Sequence, residues 1–93
     1  MDKNKIIDEL LSRNIIADGT NVYAEVNARG LGGTPVRVKK TVLIANFGKT
    51  KGIGWERDDA GKDWTFPVHY KDIEAIEGMD IKRFAQAYKI KIK

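Results

Sequence analysis

Near the start of the chain, apolar residues recur at helical spacing. Ile6, Ile7, Leu10 and Leu11 fall on one side while Lys3, Lys5, Asp8, Glu9 and Arg13 face away. This predicts an amphipathic helix over residues 3–14 that lies as a lid on a sheet. Asp18-Gly19-Thr20-Asn21 supplies the turn chemistry that ends it. The period then drops to two: Val22, Ala24, Val26 and Ala28 share one parity, and Tyr23, Glu25, Asn27 and Arg29 share the other. That alternation is the mark of a half-buried strand. Three glycines and a proline within residues 29–35 predict a flexible loop after it.

Residues 36–47 are rich in β-branched side chains, with Val36, Val38, Val42 and Ile44 inward and Arg37, Lys39 and Thr41 outward. Lys40 stands on the apolar parity. It predicts a bulge or sharp bend of the kind that curls a strand around a small barrel, or else a place at an open edge from which the ammonium reaches water. A turn at residues 48–52 leads to a strand on which Ile53, Trp55 and Arg57 share a face. The acidic and glycine residues of Asp58-Asp59-Ala60-Gly61-Lys62-Asp63 then predict a hairpin between two Trp-containing strands. Trp64, Phe66, Val68 and Tyr70 continue on one parity, and Pro67, which lacks an amide donor, places this strand at an edge or a bulge. Ile73 and Ile76 point inward from a short strand after a helical turn. Asp80 is a good N-cap for a helix over residues 81–88, whose apolar stripe is Ile81, Phe84, Ala85 and Tyr88. The alternating tail Lys89-Ile90-Lys91-Ile92-Lys93 has the pattern of a last strand.

The expected architecture is therefore α+β and a single domain over residues 1–93. It has an N-terminal helix, a strand-rich barrel over residues 21–79 and a short C-terminal helix with a basic tail. The sheet is expected as a small curled antiparallel sheet or an SH3-like barrel of four to five strands. In the run from Trp64 to Ile76, a strand passes through Pro67, His69 and Tyr70 into a turn and a brief final strand. This resembles the way SH3-like and Sm-like small β-barrels close, and the resemblance covers residues 21–79. The compact format of a barrel with two helical attachments also resembles the small SH3-fold accessory proteins encoded by tailed bacteriophages. That resemblance implies a binder of RNA, DNA, peptide or protein surface, without selecting among them.

At 93 residues the chain is long enough for one hydrophobic core and too short for two. Apolar residues are 42% and charged residues 32% of it, a balance that folds. No run approaches the roughly 18 to 20 apolar residues that cross a bilayer, so neither signal peptide nor membrane anchor is expected. The absence of cysteine rules out disulfides, and a single histidine rules out a Cys/His metal cluster. A reducing cytoplasm is the expected compartment, the host's if the chain is phage-encoded. The net charge is +4 but unevenly spread. Residues 26–55 hold six basic residues and no acid, and residues 81–93 hold five and none. A two-signed surface follows if these segments meet in space; the alternative is that the basic strands are solvated and paired with acids elsewhere.

The candidate chemistry is binding. Tyr23, Arg29, Arg37 and Lys39 share the parity opposite the apolar face, and Lys40, Lys49 and Lys51 extend the cationic run. An aromatic platform in a cationic field fits single-stranded RNA or DNA, because rings stack bases and Lys or Arg tracks phosphates. Trp55, Trp64, Phe66 and Phe84 are assigned to core packing. The glycine loop has neither the ending of a P-loop nor Rossmann spacing, and reads as a hairpin loop. His69 has no local nucleophile or carboxylate partner and reads as a surface residue. Asp58, Asp59 and Asp63 lack EF-hand spacing and are explained by a turn. No catalytic residue, metal or cofactor is expected. The first functional expectation is a non-catalytic module binding nucleic acid. The alternative is a protein-binding phage-type accessory factor that inhibits or modulates a host or defence enzyme, for which Pro67, the exposed hairpin and the tail at residues 89–93 would form edge or rim features.

Overall fold

The computed structural model describes residues 2–29 and 35–90. Its elements run α1 (Lys3–Ser12), β1 (Asn21–Arg29), β2 (Pro35–Phe47), β3 (Lys51–Arg57), β4 (Asp63–His69), a 3-10 turn at Tyr70–Asp72, β5 (Ile73–Ile76), β6 (Met79–Asp80) and α2 (Ile81–Ala87). The strands form one antiparallel sheet in the order β4-β3-β2-β1-β5-β6. β4 and β6 end it without pairing to each other, so the sheet is open. It is also curled, because β4 comes into contact with β1 although two strands separate them in the ladder. The architecture is thus α+β with a small curled sheet. It has one strand more than the four to five expected; the addition is the two-residue β6, which forms a tight hairpin with β5. Glu77 and Gly78 at its tip both take positive φ, the conformation a two-residue hairpin turn needs.

The helices end where their caps dictate. Asp2 caps α1 by accepting from the Asn4 amide at 3.0 Å, and Asn14, in the left-handed region, stops the helix two residues before the expected boundary. The Asp80 side chain accepts from the amides of Lys82 and Arg83, as the sequence anticipates for an N-cap. Ile6, Ile7 and Leu10 of α1 and Ile81, Phe84 and Ala85 of α2 join Val22, Ala24, Val26, Val42, Ile44, Val68, Ile73 and Ile76 in one core. All the sheet residues in that cluster lie on the inner side of their strands, so both helices cover the same side and the opposite face is left open. Tyr70 is fully buried at the end of β4, and its hydroxyl donates to the Gly48 carbonyl.

Two local expectations change. No bulge falls at Lys40: β1 and β2 keep one register from Asn21↔Leu43 to Arg29↔Pro35, passing through Ala24↔Lys40. The ladder irregularity on β2 lies between Ile44 and Asn46, on the β3 side. Lys40 points inward, where its ammonium meets both oxygens of Glu56 at 2.8 Å and lies 5.7 Å from the centre of the Phe66 ring. A lysine can stand on the apolar parity without a backbone defect because a carboxylate on the facing side of β3 supplies its counter-charge. The second change is the place of Trp55, which follows from the glycines beside it. A Cβ on Gly52 would lie 2.7 Å from Ile44 Cγ2, and one on Gly54 would lie 2.5 Å from Phe66 Cε2. The inner side of β3 has no room for side chains there, so its bulky residues, Ile53 and Trp55, turn outward.

Candidate binding face of the sheet

Directly opposed residues of neighbouring strands share a face. On the face away from the helices, Tyr23 lies opposite Thr41, Leu43 opposite Trp55, Trp55 opposite Thr65, and Ile53 opposite Pro67. Tyr23 and Ile53 are 39% and 40% exposed, and Leu43 and Trp55 are half-buried. None of these four belongs to the core or packs against it. Together with Pro67 they form a diagonal apolar band across β1 to β4 that no helix covers. Arg57 lies over the Trp55 ring at 5.5 Å and donates from Nε to Asp63 at 2.8 Å. The hydrogen bond from Arg57 is the main cause holding the Asp63 carboxyl below its ordinary range.

The cations named from the sequence are distributed differently from the expected single field. Arg37 and Lys39 project from the outer side of β2, as parity requires, but both are neutralised locally. Arg37 donates to Glu25 at 2.8 Å and to Asp72 at 3.4 Å, and its pKa is raised chiefly by the Glu25 hydrogen bond. Lys39 pairs with Glu74 at 3.0 Å, which raises its pKa in the same way. Lys40 is on the inner side with Glu56. Lys49 and Lys51 are exposed around the β2–β3 turn, and no ion pair is found for either among the described residues. Lys51 is the one that shares the face of the apolar band, two positions from Ile53 and opposite His69. The side chain of Arg29, the glycine loop at residues 30–34 and the tail residues Lys91, Ile92 and Lys93 lie outside the described residues. The second basic segment, at Lys82 and Arg83, is exposed on α2, which packs on β5 and β6. The alternative of cations paired with acids elsewhere in the chain therefore describes Arg37, Lys39 and Lys40.

Tyr23 stands where the sequence puts it, exposed on the outer face. Trp55, assigned to the core, is instead on the same outer face, on β3 with β2 between it and Tyr23, and Leu43 and Ile53 are not singled out as surface residues from the sequence. A signal for them was present: Ile53 and Trp55 share parity with Arg57, and the intervening positions are glycine. Trp64 lies on the inner parity and is half-buried; its indole N–H donates to Asp58, which also accepts from the Ala60 and Lys62 amides. This network fixes the hairpin turn and holds the Asp58 carboxyl low, chiefly through the Trp64 bond. His69 is exposed. Among the described residues there is no group of three or more His, Cys, Asp or Glu placed to hold a metal, and no helix is long and apolar enough to cross a membrane. Comparisons with protein-family models, with curated proteins and with solved structures find no match.

Proposed function

We propose that this chain is a non-catalytic binding module that docks a protein partner through the uncovered face of its sheet. Under this reading Tyr23, Ile53 and Trp55 are the anchors, and Leu43, Thr65 and Pro67 are the surrounding contact surface. The observation that carries the proposal is the band of exposed and half-buried apolar side chains on a face that the core does not use. Aromatic and aliphatic anchors at the centre of a patch, with charged residues at its rim, are the usual anatomy of a protein interface. The charge arrangement also favours a protein. Glu25, Asp72, Glu74 and Asp63 offset Arg37, Lys39 and Arg57 around the band, so these three cations already have a carboxylate in place of a phosphate. Docking on the face rather than on an edge fits the guarded edges: Glu25, Arg37 and Lys39 flank the exposed part of the β1–β2 pair, and Pro67 lies in β4. The role that best suits such a module, and the phage-type resemblance, is to inhibit or modulate an enzyme of the host cytoplasm.

A second reading is supported by Lys49 and Lys51. With Tyr23 and Trp55 on the same sheet they offer a smaller platform for single-stranded nucleic acid. Two assays on the same variants separate the readings. Immobilised protein should capture a partner from nuclease-treated lysate of its native cell, and the capture should be lost in Ile53→Asp and Trp55→Ala, which leave the core untouched. Mobility shifts with single-stranded RNA and DNA across a salt series should be weak in the wild type. Nuclease-sensitive capture, together with a shift that falls steeply with salt and is abolished by Lys49→Glu plus Lys51→Glu, would replace the protein reading with the nucleic-acid one.

A further inference from the structure

We infer that the outer edge of β4 is a pairing strand for a second copy of this chain and that Pro67 holds it shut. The Tyr70 amide donates to the Thr50 carbonyl at 3.1 Å and the Asp58 amide to the Lys62 carbonyl at 2.9 Å. Between these bonds the β3–β4 register runs from Lys51↔His69 to Arg57↔Asp63 without a shift. Backbone groups alternate in an antiparallel ladder. Trp64, Phe66 and Val68 therefore turn theirs toward β3, and Asp63, Thr65, Pro67 and His69 turn theirs away. β4 ends the sheet, and although the curl brings it into contact with β1, no ladder joins the two. The outward row of backbone donors and acceptors is thus continuous except at Pro67, which has no N–H.

Two copies of β4 paired antiparallel about Phe66 would set Thr65 opposite Pro67, and Asp63 opposite His69, in hydrogen-bonding positions. The Asp63 carboxylate, which also accepts from Arg57, would then face an imidazole able to donate to it at each end, and both side chains are exposed. Pro67 breaks this arrangement at two symmetric places, because Thr65 of each copy loses its donor and the proline ring occupies the space where the hydrogen would lie. Within its own sheet the proline costs nothing, since Pro67↔Ile53 is a non-hydrogen-bonded pair. The same residue that fits the intramolecular ladder therefore denies the intermolecular one.

Sedimentation equilibrium on the wild type and Pro67→Val tests this. The wild type should be monomeric at this edge, and Pro67→Val should dimerise with an association constant at least roughly thirtyfold higher, as expected when two amide–carbonyl bonds are restored. Adding Thr65→Pro to Pro67→Val should return it to monomer. If Pro67→Val does not fold by circular dichroism, Pro67→Thr reads the same equilibrium. A folded variant as monomeric as the wild type, or a dimer that survives Thr65→Pro, would overturn the inference.

Discussion

Tyr70 joins the two halves of the fold through one hydroxyl. Its ring is fully buried, its hydroxyl donates to the Gly48 carbonyl, and its amide bonds to the Thr50 carbonyl, so a single side chain closes the β2–β3 turn against the end of β4. Burial, reinforced by Asp8 and Asp18, pushes the phenol from 10.0 up to about 12. The fold thus favours the neutral phenol. Its contribution to stability is fully present below pH 10 and is lost as pH rises from there through about 12. Tyr70→Phe removes both the bond and the titration. At neutral pH it should lower the unfolding free energy by about 1 kcal/mol. The gap between the two proteins, measured by urea unfolding at a series of alkaline pH values, should narrow as the tyrosine ionises. A gap that stayed constant to the highest pH would mean that Tyr70 does not titrate under the influence of its burial.

At the level of single elements, β3 decides where the binding face lies. Gly52 and Gly54 occupy its inner side because Ile44, the Asn46 carbonyl, Phe66 and Val68 already fill that space. Gly54→Ala should destabilise the fold by about 1 to 3 kcal/mol, the range for overpacking a filled core, measured as a lower urea midpoint with unchanged slope. Ile53→Ser, one position away on the open face, should move that midpoint little. β1 to β5, both helices and the hairpin at residues 58–63 are legible from the sequence because each is a local pattern: period two, an N-cap such as Asp80, or a run of turn residues; the two-residue β6 is too short to leave one. Pro67 likewise marked its strand as an edge, which β4 is. The face of Trp55 was less accessible. Trp is read as a core residue by size, whereas its direction here depends on how closely β2 and β4 approach the glycines beside it. Lys40 could not be placed for a similar reason, since its partner Glu56 is 16 residues away and the pairing depends on the β2–β3 register. The distribution of charge was misleading in the same sense: residues 26–55 carry no acid, yet Arg37, Lys39 and Lys40 find Glu25, Asp72, Glu74 and Glu56 from elements on either side.

Taken as a whole molecule, the chain is an open curled sheet with both helices on its inner side, and its extents of 44 × 22 × 21 Å show how far it is drawn out along one axis. The pairing explains the elongation. β1 and β2 run together over residues 21–29 and 35–43, while β5 reaches only Val22 to Ala24 and β3 joins β2 only from Leu43 onward. Past the buried Val26, residues 27–29 and 35–37 therefore continue as a two-stranded ribbon, and the apolar band lies toward its base. A photo-reactive residue placed at Ile53, compared with one at Arg83 on the helix-covered side, tests the proposed interface most directly when irradiated in the native cell. A docked protein partner should give a discrete, nuclease-resistant protein adduct from position 53 and none from position 83. A nucleic-acid adduct at position 53, or equal labelling from both positions, would contradict it.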